Sequence, residues 1–309
     1  MEILVTGGAG FIGSNFVHYM LKTYDDVQLT TLDALTYAGS RDNLEGTLDT
    51  ARHRFVEGDV CNRELVADLV DGVDAVVNFA AESHVDRSIN DSKPFVKTNV
   101  EGTQVLLDAA VGADLDRFLQ VSTDEVYGEI LDGSFGETDP LNPRNPYAAT
   151  KAGADLLVQS YQETHDLPTV ITRTCNNFGP RQHQEKLIPK LIRNAVRGDR
   201  LPIYGDGSNV REWIYVEDNC RALDTVLRSG EIGEVYNIGT GEEMTNLNVA
   251  KTIVDVVDAS RDQITLVEDR PGHDQRYALD TSKLESMGWE PTWSFEEGIR
   301  ETIEYYRPV

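Results

Sequence analysis

EILVTGGAGFIG, residues 2–13, passes from a short apolar β-like run into glycines at 7, 10 and 13, and an amphipathic segment follows to about Lys22. Glycines at that spacing permit a tight turn, close approach of a pyrophosphate to the backbone, and close packing of helix on strand. The helix start adds free N–H groups and the positive end of a dipole, which favour a phosphate there. The next β-like run, VQLTTLD, ends at Asp33, 20 residues after Gly13. A carboxylate at that position accepts hydrogen bonds from an adenine ribose and repels a 2′-phosphate. Strand, glycines, helix, strand and acid in this order predict a dinucleotide site that takes NAD rather than NADP. Arg41, downstream, reads as a surface residue.

The alternation continues on either side of the strand HRFVEG (53–58), which leads to Asp59 and Val60. RELVADLV (63–70) is helix-like, and DAVVNFA (74–80) is a strand that delivers Ala80, Ala81, Glu82, Ser83, His84 and Asp86 at its C-terminal edge. A helical pattern through Phe95, Val96, Val100, Leu106, Leu107 and Ala110 then leads to the strand RFLQVS (117–122). Repeated β-then-α units predict an α/β chain with a Rossmann-like, doubly wound parallel sheet and right-handed crossovers. Near Cys175 the text changes to short segments, turns and clustered cations. This predicts a dinucleotide-binding domain over 1–175, also receiving strand and helix from 212–240, and a smaller C-terminal α/β substrate-binding domain over 176–309. KLIPKLIRNAV, beginning at Lys186, reads as a helix, and LPIYGDGSNVREWIYVED (201–218) as short strands around a glycine-rich turn. EVYNIG and ITLVED read as strands, and FEEGIRETIEYY (295–306) as an amphipathic helix.

Chemistry concentrates between Val121 and Lys151. Tyr147 and Lys151 are four apart in a helical pattern, so both rise from one face. An ammonium beside a phenol favours phenolate, which makes the pair a candidate proton acceptor. Such a pair arises by chance roughly 0.3 times in a chain of this composition, so spacing alone decides little. Thr123, Asp124 and Glu125 follow a strand directly, where α/β sheets present ligand-facing ends. Adjacent carboxyls do not titrate independently, so one can serve as acid while the other serves as base. Two proton-transfer tasks are therefore indicated.

Composition narrows the classes. The 309 residues carry 53 acidic against 28 basic side chains, a net charge of −25, and only 8 of the basic residues are lysines. Such a surface repels nucleic acid and anionic membranes, and a similar acidity is found in proteins of salt-accumulating organisms. The start lacks the basic and small-residue features of a signal peptide, and there is no apolar run of spanning length, so a cytoplasmic protein is expected. Cys61, Cys175 and Cys220 are odd in number and scattered, as reduced thiols would be. The six histidines show no ligand spacing, and no metal is expected.

Taken in order, GGAGFIG, NFAAESHVDRSI, STDEVYG, YAATK, CNNFGP, EKLIP, LPIYGDGSNVREWIYVED and DRPGHDQRYALD resemble the nucleoside-diphosphate-sugar dehydratases of the extended short-chain dehydrogenase/reductase class, specifically the dTDP-glucose 4,6-dehydratases. The resemblance spans essentially the whole chain. It implies that Tyr147 removes the proton of the sugar 4-hydroxyl while hydride leaves carbon 4 for NAD. Lys151 would hold the phenol and cofactor ribose, and Thr123 the hydroxyl. Glu125 would then take the proton from carbon 5, Asp124 would protonate the departing 6-hydroxyl, and hydride would return to carbon 6. The implied product is dTDP-4-dehydro-6-deoxyglucose. By the same match Phe11, Ile12, Asp33, Asp59, Val60, Ala80, Thr98 and Asn177, with the glycines, resemble NAD contacts. Ser83, Asn176, Lys186, Leu187, Pro202, Ile203, Tyr204, Arg211, Asn246, Arg270 and His273 resemble contacts to the nucleotide sugar. Arg211 and Arg270 suit the diphosphate, because a guanidinium grips phosphate oxygens in pairs. A homodimer is implied too. The family pattern has Tyr where this chain has Phe178 and again Tyr where it has Arg181, and proline where it has Gln184. Two other readings share much of this pattern: a UDP-sugar 4-epimerase or decarboxylase, which lacks the acidic pair, and a non-catalytic NAD-sensing regulator, which has no use for Tyr147 and Lys151.

Overall fold

The structure is a computed structural model that describes residues 1–269 and 272–307; Arg270 lies outside the described residues. Among them, twelve strands form, numbered along the chain. The first six are β1 (Glu2–Thr6), β2 (Gln28–Asp33), β3 (His53–Glu57), β4 (Ala75–Asn78), β5 (Arg117–Thr123) and β6 (Thr169–Thr174). The rest are β7 (Asn176–Phe178), β8 (Leu201–Tyr204), β9 (Val210–Tyr215), β10 (Val235–Ile238), β11 (Glu243–Thr245) and β12 (Ile264–Val267).

Seven strands make one sheet in the order β3-β2-β1-β4-β5-β6-β10, and every neighbouring pair is parallel. A parallel sheet needs cover on both faces, and the sequence supplies it by alternation along each strand. In β1, Ile3 and Val5 pack into one apolar cluster with Phe16 and Val17 of the Phe11–Thr23 helix and Leu223 of the Val216–Ser229 helix. Leu4 points the other way, into a cluster with Val66, Leu106 and Val158 from the Arg63–Val70, Thr103–Val111 and Pro146–His165 helices. The strand order reverses between β1 and β4, so a crevice opens beyond their C-terminal ends.

A third cluster forms around Phe178, Ile188, Trp213 and Phe295. Two small sheets adjoin it: β11-β9-β7 and β12-β8. The stretch 201–218 does contain two strands and a turn with Gly205 and Gly207 at positive φ. The strands do not pair with each other, however, and each goes to a different sheet. The Val216–Ser229 helix packs beside the Phe11–Thr23 helix, and β10 pairs with β6 on the edge of the large sheet. No helix among the described residues is long and apolar enough to cross a membrane.

Candidate active site

A cleft of about 1680 Å³ lies above the switch point. Single small-ligand pockets run to roughly 1,000 Å³ at most, so there is room for a dinucleotide and a second ligand. Every described residue of the expected cofactor, substrate and catalytic sets lines it. These residues come from both the large sheet and the segments after Cys175.

The glycine turn has the shape of a dinucleotide cradle. Gly7 sits at φ +66, and a Cβ there would lie 2.6 Å from the Ala80 nitrogen. A Cβ on Gly13 would strike the Gly7 carbonyl. Only bare backbone leaves this surface open. Asp33 ends β2 with Oδ2 accepting from Ala9 N at 2.9 Å and Oδ1 from Leu35 N at 2.8 Å. Each oxygen keeps a lone pair for a ribose hydroxyl. Asp59 is held by Lys97 at 2.6 Å. Thr98 reaches the cleft from a π-helical stretch, Val96–Gly102, of the kind often found where a helix meets a functional site. Arg41 points away, its guanidinium 4.9 Å from the Phe55 ring centre. The residues present therefore fit NAD.

Tyr147 and Lys151 stand on the Pro146–His165 helix, whose start follows from Asn145-Pro146. The Asn145 side chain accepts from Ala148 N at 2.9 Å as the cap, and Pro146 occupies the first turn, where it needs no N–H. The same Asn145 donates to Glu125 Oε2 at 3.0 Å, so one side chain both starts the helix and fixes a carboxylate. Sequence reasoning missed this role, although Asn before Pro at a helix start was the visible signal. Lys151 is buried and donates to the Val121 carbonyl at 2.7 Å. Burial pushes its pKa down to about 8, opposed by Asp155.

The lowering of the Tyr147 phenol expected from Lys151 is not met in this arrangement. Burial drives the phenol upward, Glu125 and Asp124 add to that, and the Thr123 hydroxyl pulls it back. The physical reason is burial, which disfavours the charged phenolate, while the Lys151 ammonium donates to the Val121 carbonyl and does not offset that cost.

Thr123 closes β5, and a 3₁₀ turn, Asp124–Tyr127, carries the acidic pair. Thr123 Oγ1 donates to Asp124 Oδ1 at 3.1 Å and accepts from Glu125 N at 3.3 Å. Asp124 is 2% exposed, and its Oδ2 is buried without a hydrogen-bond partner. Burial first, then the charge of Glu125, raises its pKa to about 8. Asp124 is thus a neutral acid at neutral pH beside a carboxylate fixed by Asn145.

At the far side Lys186 donates to the Ser83 carbonyl at 2.8 Å, and the Tyr204 and His273 rings meet edge to face at 6.2 Å. Arg211 gives Nη1 to the Val210 carbonyl at 2.7 Å and the Gln275 carbonyl at 3.4 Å, and Nη2 to the Asp274 carbonyl at 2.8 Å. That leaves Nε–H and one Nη2–H for a ligand. Asn246 Oδ1 and Asn177 Oδ1 are buried without partners. Of the departures, Phe178 is fully buried between Trp213, Tyr215 and Phe295, where a hydroxyl would be orphaned. Arg181 lines the cleft and donates to Asn15 Oδ1 at 2.9 Å. Gln184 accepts from Arg193 at 3.3 Å. Tyr37, not anticipated, approaches Ser83 at 3.4 Å beneath the Arg87 guanidinium.

A doubly wound sheet, a glycine cradle at its switch point and a Tyr/Lys pair above it define a dinucleotide-dependent enzyme of the extended short-chain dehydrogenase/reductase class. The profile of the GDP-mannose 4,6 dehydratase family matches residues 4–302, and this chain belongs to that family. It is 70% identical, over 99% of this chain and 98% of the other, to the low-salt glycan biosynthesis protein Agl12 of Haloferax volcanii. It is 50% identical to a dTDP-glucose 4,6-dehydratase of Streptomyces niveus, covering 99% of this chain and 93% of that one. The crystal structure of the dTDP-glucose 4,6-dehydratase DesIV of Streptomyces venezuelae, with NAD and dTDP bound, superposes with a TM-score of 0.97 at 50% identity, covering 99% and 97% of the two chains.

Proposed function

We propose that this protein is a dTDP-glucose 4,6-dehydratase that oxidises the sugar at carbon 4, eliminates water across carbons 5 and 6, and reduces carbon 6. The observation that carries this reading is the acidic pair: a neutral Asp124 and a fixed Glu125 share one turn beside Tyr147. An epimerase has no step that uses them.

NAD, held by the glycine cradle, Asp33, Asp59, Thr98 and Asn177, supplies when bound a hydride acceptor and a positively charged ring. With NAD bound, its positive ring would favour the phenolate that burial opposes, so that Tyr147 would take the 4-hydroxyl proton while Thr123, within reach of the phenol, orients that hydroxyl. The 4-ketone acidifies the carbon 5 proton, which Glu125 removes. Asp124 then gives its proton to the 6-hydroxyl, which departs as water. Lys186, Arg211, Asn246 and His273 bind the nucleoside diphosphate, with Pro202, Ile203 and Tyr204 against the base and ribose. Arg270 belongs to this set by resemblance.

The domain division at Cys175, with 212–240 returning to the first domain, goes with this reading: one part binds NAD and the other the sugar nucleotide. A cytoplasmic location fits three free thiols. A homodimer fits the exposed apolar side chains Ile89 (42%), Val96 (50%) and Leu156 (56%) on helices that pack together. In solution the 34.4 kDa chain is then expected at twice its mass by light scattering, and a monomer would remove this part of the proposal.

The decisive experiment supplies dTDP-glucose deuterated at carbon 4. The label is expected on the new methyl group of a 4-keto-6-deoxy product. Label lost to solvent refutes the mechanism, and a galactose epimer as product would make the protein an epimerase.

A further inference from the structure

The catalytic groups stand on two separate elements. Tyr147 and Lys151 ride on the Pro146–His165 helix, whereas Asp124 and Glu125 ride on the turn after β5. A hydrogen-bonded chain joins these elements on the side away from the cleft. Asp155, one turn after Lys151, is fully buried and accepts from Arg173 Nε of β6 at 3.0 Å. Arg173, 2% exposed, passes Nη1 to the Tyr127 hydroxyl at 2.8 Å and lies 4.7 Å from the centre of that ring. Tyr127 ends the turn that carries the acidic pair, and its hydroxyl donates to Asn237 Oδ1 of β10 at 2.8 Å. Stacking on Phe135, with ring centres 5.0 Å apart, fixes the ring plane.

A buried ion pair of this kind is weak evidence of stabilisation, because apolar groups of equal volume usually hold a fold as well. What it does supply is geometry. Arg173 offers donors in a rigid fork, so a carboxylate on the helix and a hydroxyl on the turn are set at fixed positions relative to one guanidinium. We propose that Asp155, Arg173 and Tyr127 are positioning residues that hold the Asp124/Glu125 turn in register with the Tyr147/Lys151 helix, so that elimination follows oxidation without the sugar moving. Asp155 has a second effect, since its charge opposes the loss of the Lys151 proton on burial. The proposal rests on the dehydratase reading and adds residues that touch neither sugar nor cofactor. Displacement of a catalytic group by about 1 Å can cost on the order of a hundredfold in rate.

The test is Tyr127→Phe, which keeps the ring and deletes only the hydroxyl. Wild-type turnover of dTDP-glucose, measured first, judges the dehydratase reading by itself. In the variant the oxidation half-reaction is expected to keep its rate while elimination slows at least about tenfold, so bound NADH builds up in the near-ultraviolet spectrum. Asp155→Asn is expected to slow oxidation itself and to show no such build-up. Arg173→Lys is expected to restore part of the elimination rate lost in Arg173→Met. A structural role alone would lower the melting temperature and scale both half-reactions together. That result, or a Tyr127→Phe enzyme with an unchanged ratio of the two steps, overturns the proposal in a protein that turns over dTDP-glucose.

Discussion

At Asp124 the sign of the pKa shift makes two predictions. The carboxyl titrates near 8 in the fold against an ordinary 3.8, so it is protonated and able to act as an acid below about pH 8. Elimination should therefore hold through neutral pH and fall as pH rises through 8, with bound NADH accumulating on the alkaline side. A step that instead gains speed above that pH would remove Asp124 as the acid. For stability, a carboxyl whose folded pKa is raised imposes no penalty below its ordinary pKa. The penalty grows as pH rises from there and is complete above about 8. Asp124→Asn deletes it, so the variant should melt higher than wild type by a margin that widens from about pH 5 to about pH 9. Calorimetry at both ends checks this, and a constant margin would contradict it. Glu125→Gln should oxidise the sugar yet lose on the order of 10²–10⁴ in product formation, whereas Tyr147→Phe should form no bound NADH. Rapid mixing with dTDP-glucose separates them, and equal loss of NADH formation in both would end this division of roles.

The glycine turn is the element on which the proposed NAD binding depends. At Gly7 an added methyl meets both a left-handed backbone and the Ala80 nitrogen at 2.6 Å, and backbone cannot swing aside. Gly7→Ala should destabilise the protein by about 1–3 kcal/mol and strip it of NAD. Thermal melts and the cofactor content of purified protein report both effects, and a variant retaining NAD would show that the turn is not the cradle. Elements of this kind were legible in the sequence because each is set by a short local pattern. β1, the Phe11–Thr23 helix and β2 follow from periodicity, and the Asn145-Pro146 start could have been read for the same reason. Three-residue strands such as β7 and β11 were not legible. They exist because β9 lies between them, and no pattern three residues long can specify a partner over 30 residues away in β7.

For the whole molecule, the net charge of −25 works against compactness through self-repulsion. Added salt shortens the screening length from about 10 Å at 0.1 M to about 3 Å at 1 M. The melting temperature should consequently rise over that range, as scanning fluorimetry would show. A flat or falling curve would mean that the ion pairs, weakened by the same screening, outweigh the repulsion.

Local order of residues was enough to announce a doubly wound sheet, a glycine turn at its first strand and the two groups proposed as catalytic, since each depends on spacing within a few turns of chain. Only the tertiary structure decided which charges face each other. Burial and cross-strand register placed the Lys151 ammonium on the Val121 carbonyl, committed part of Arg211 to backbone carbonyls, and joined Asp155, Arg173 and Tyr127 beneath the site. The reason is that a titratable group takes its energy from whatever surrounds it in space, and those neighbours come from strands far apart in sequence.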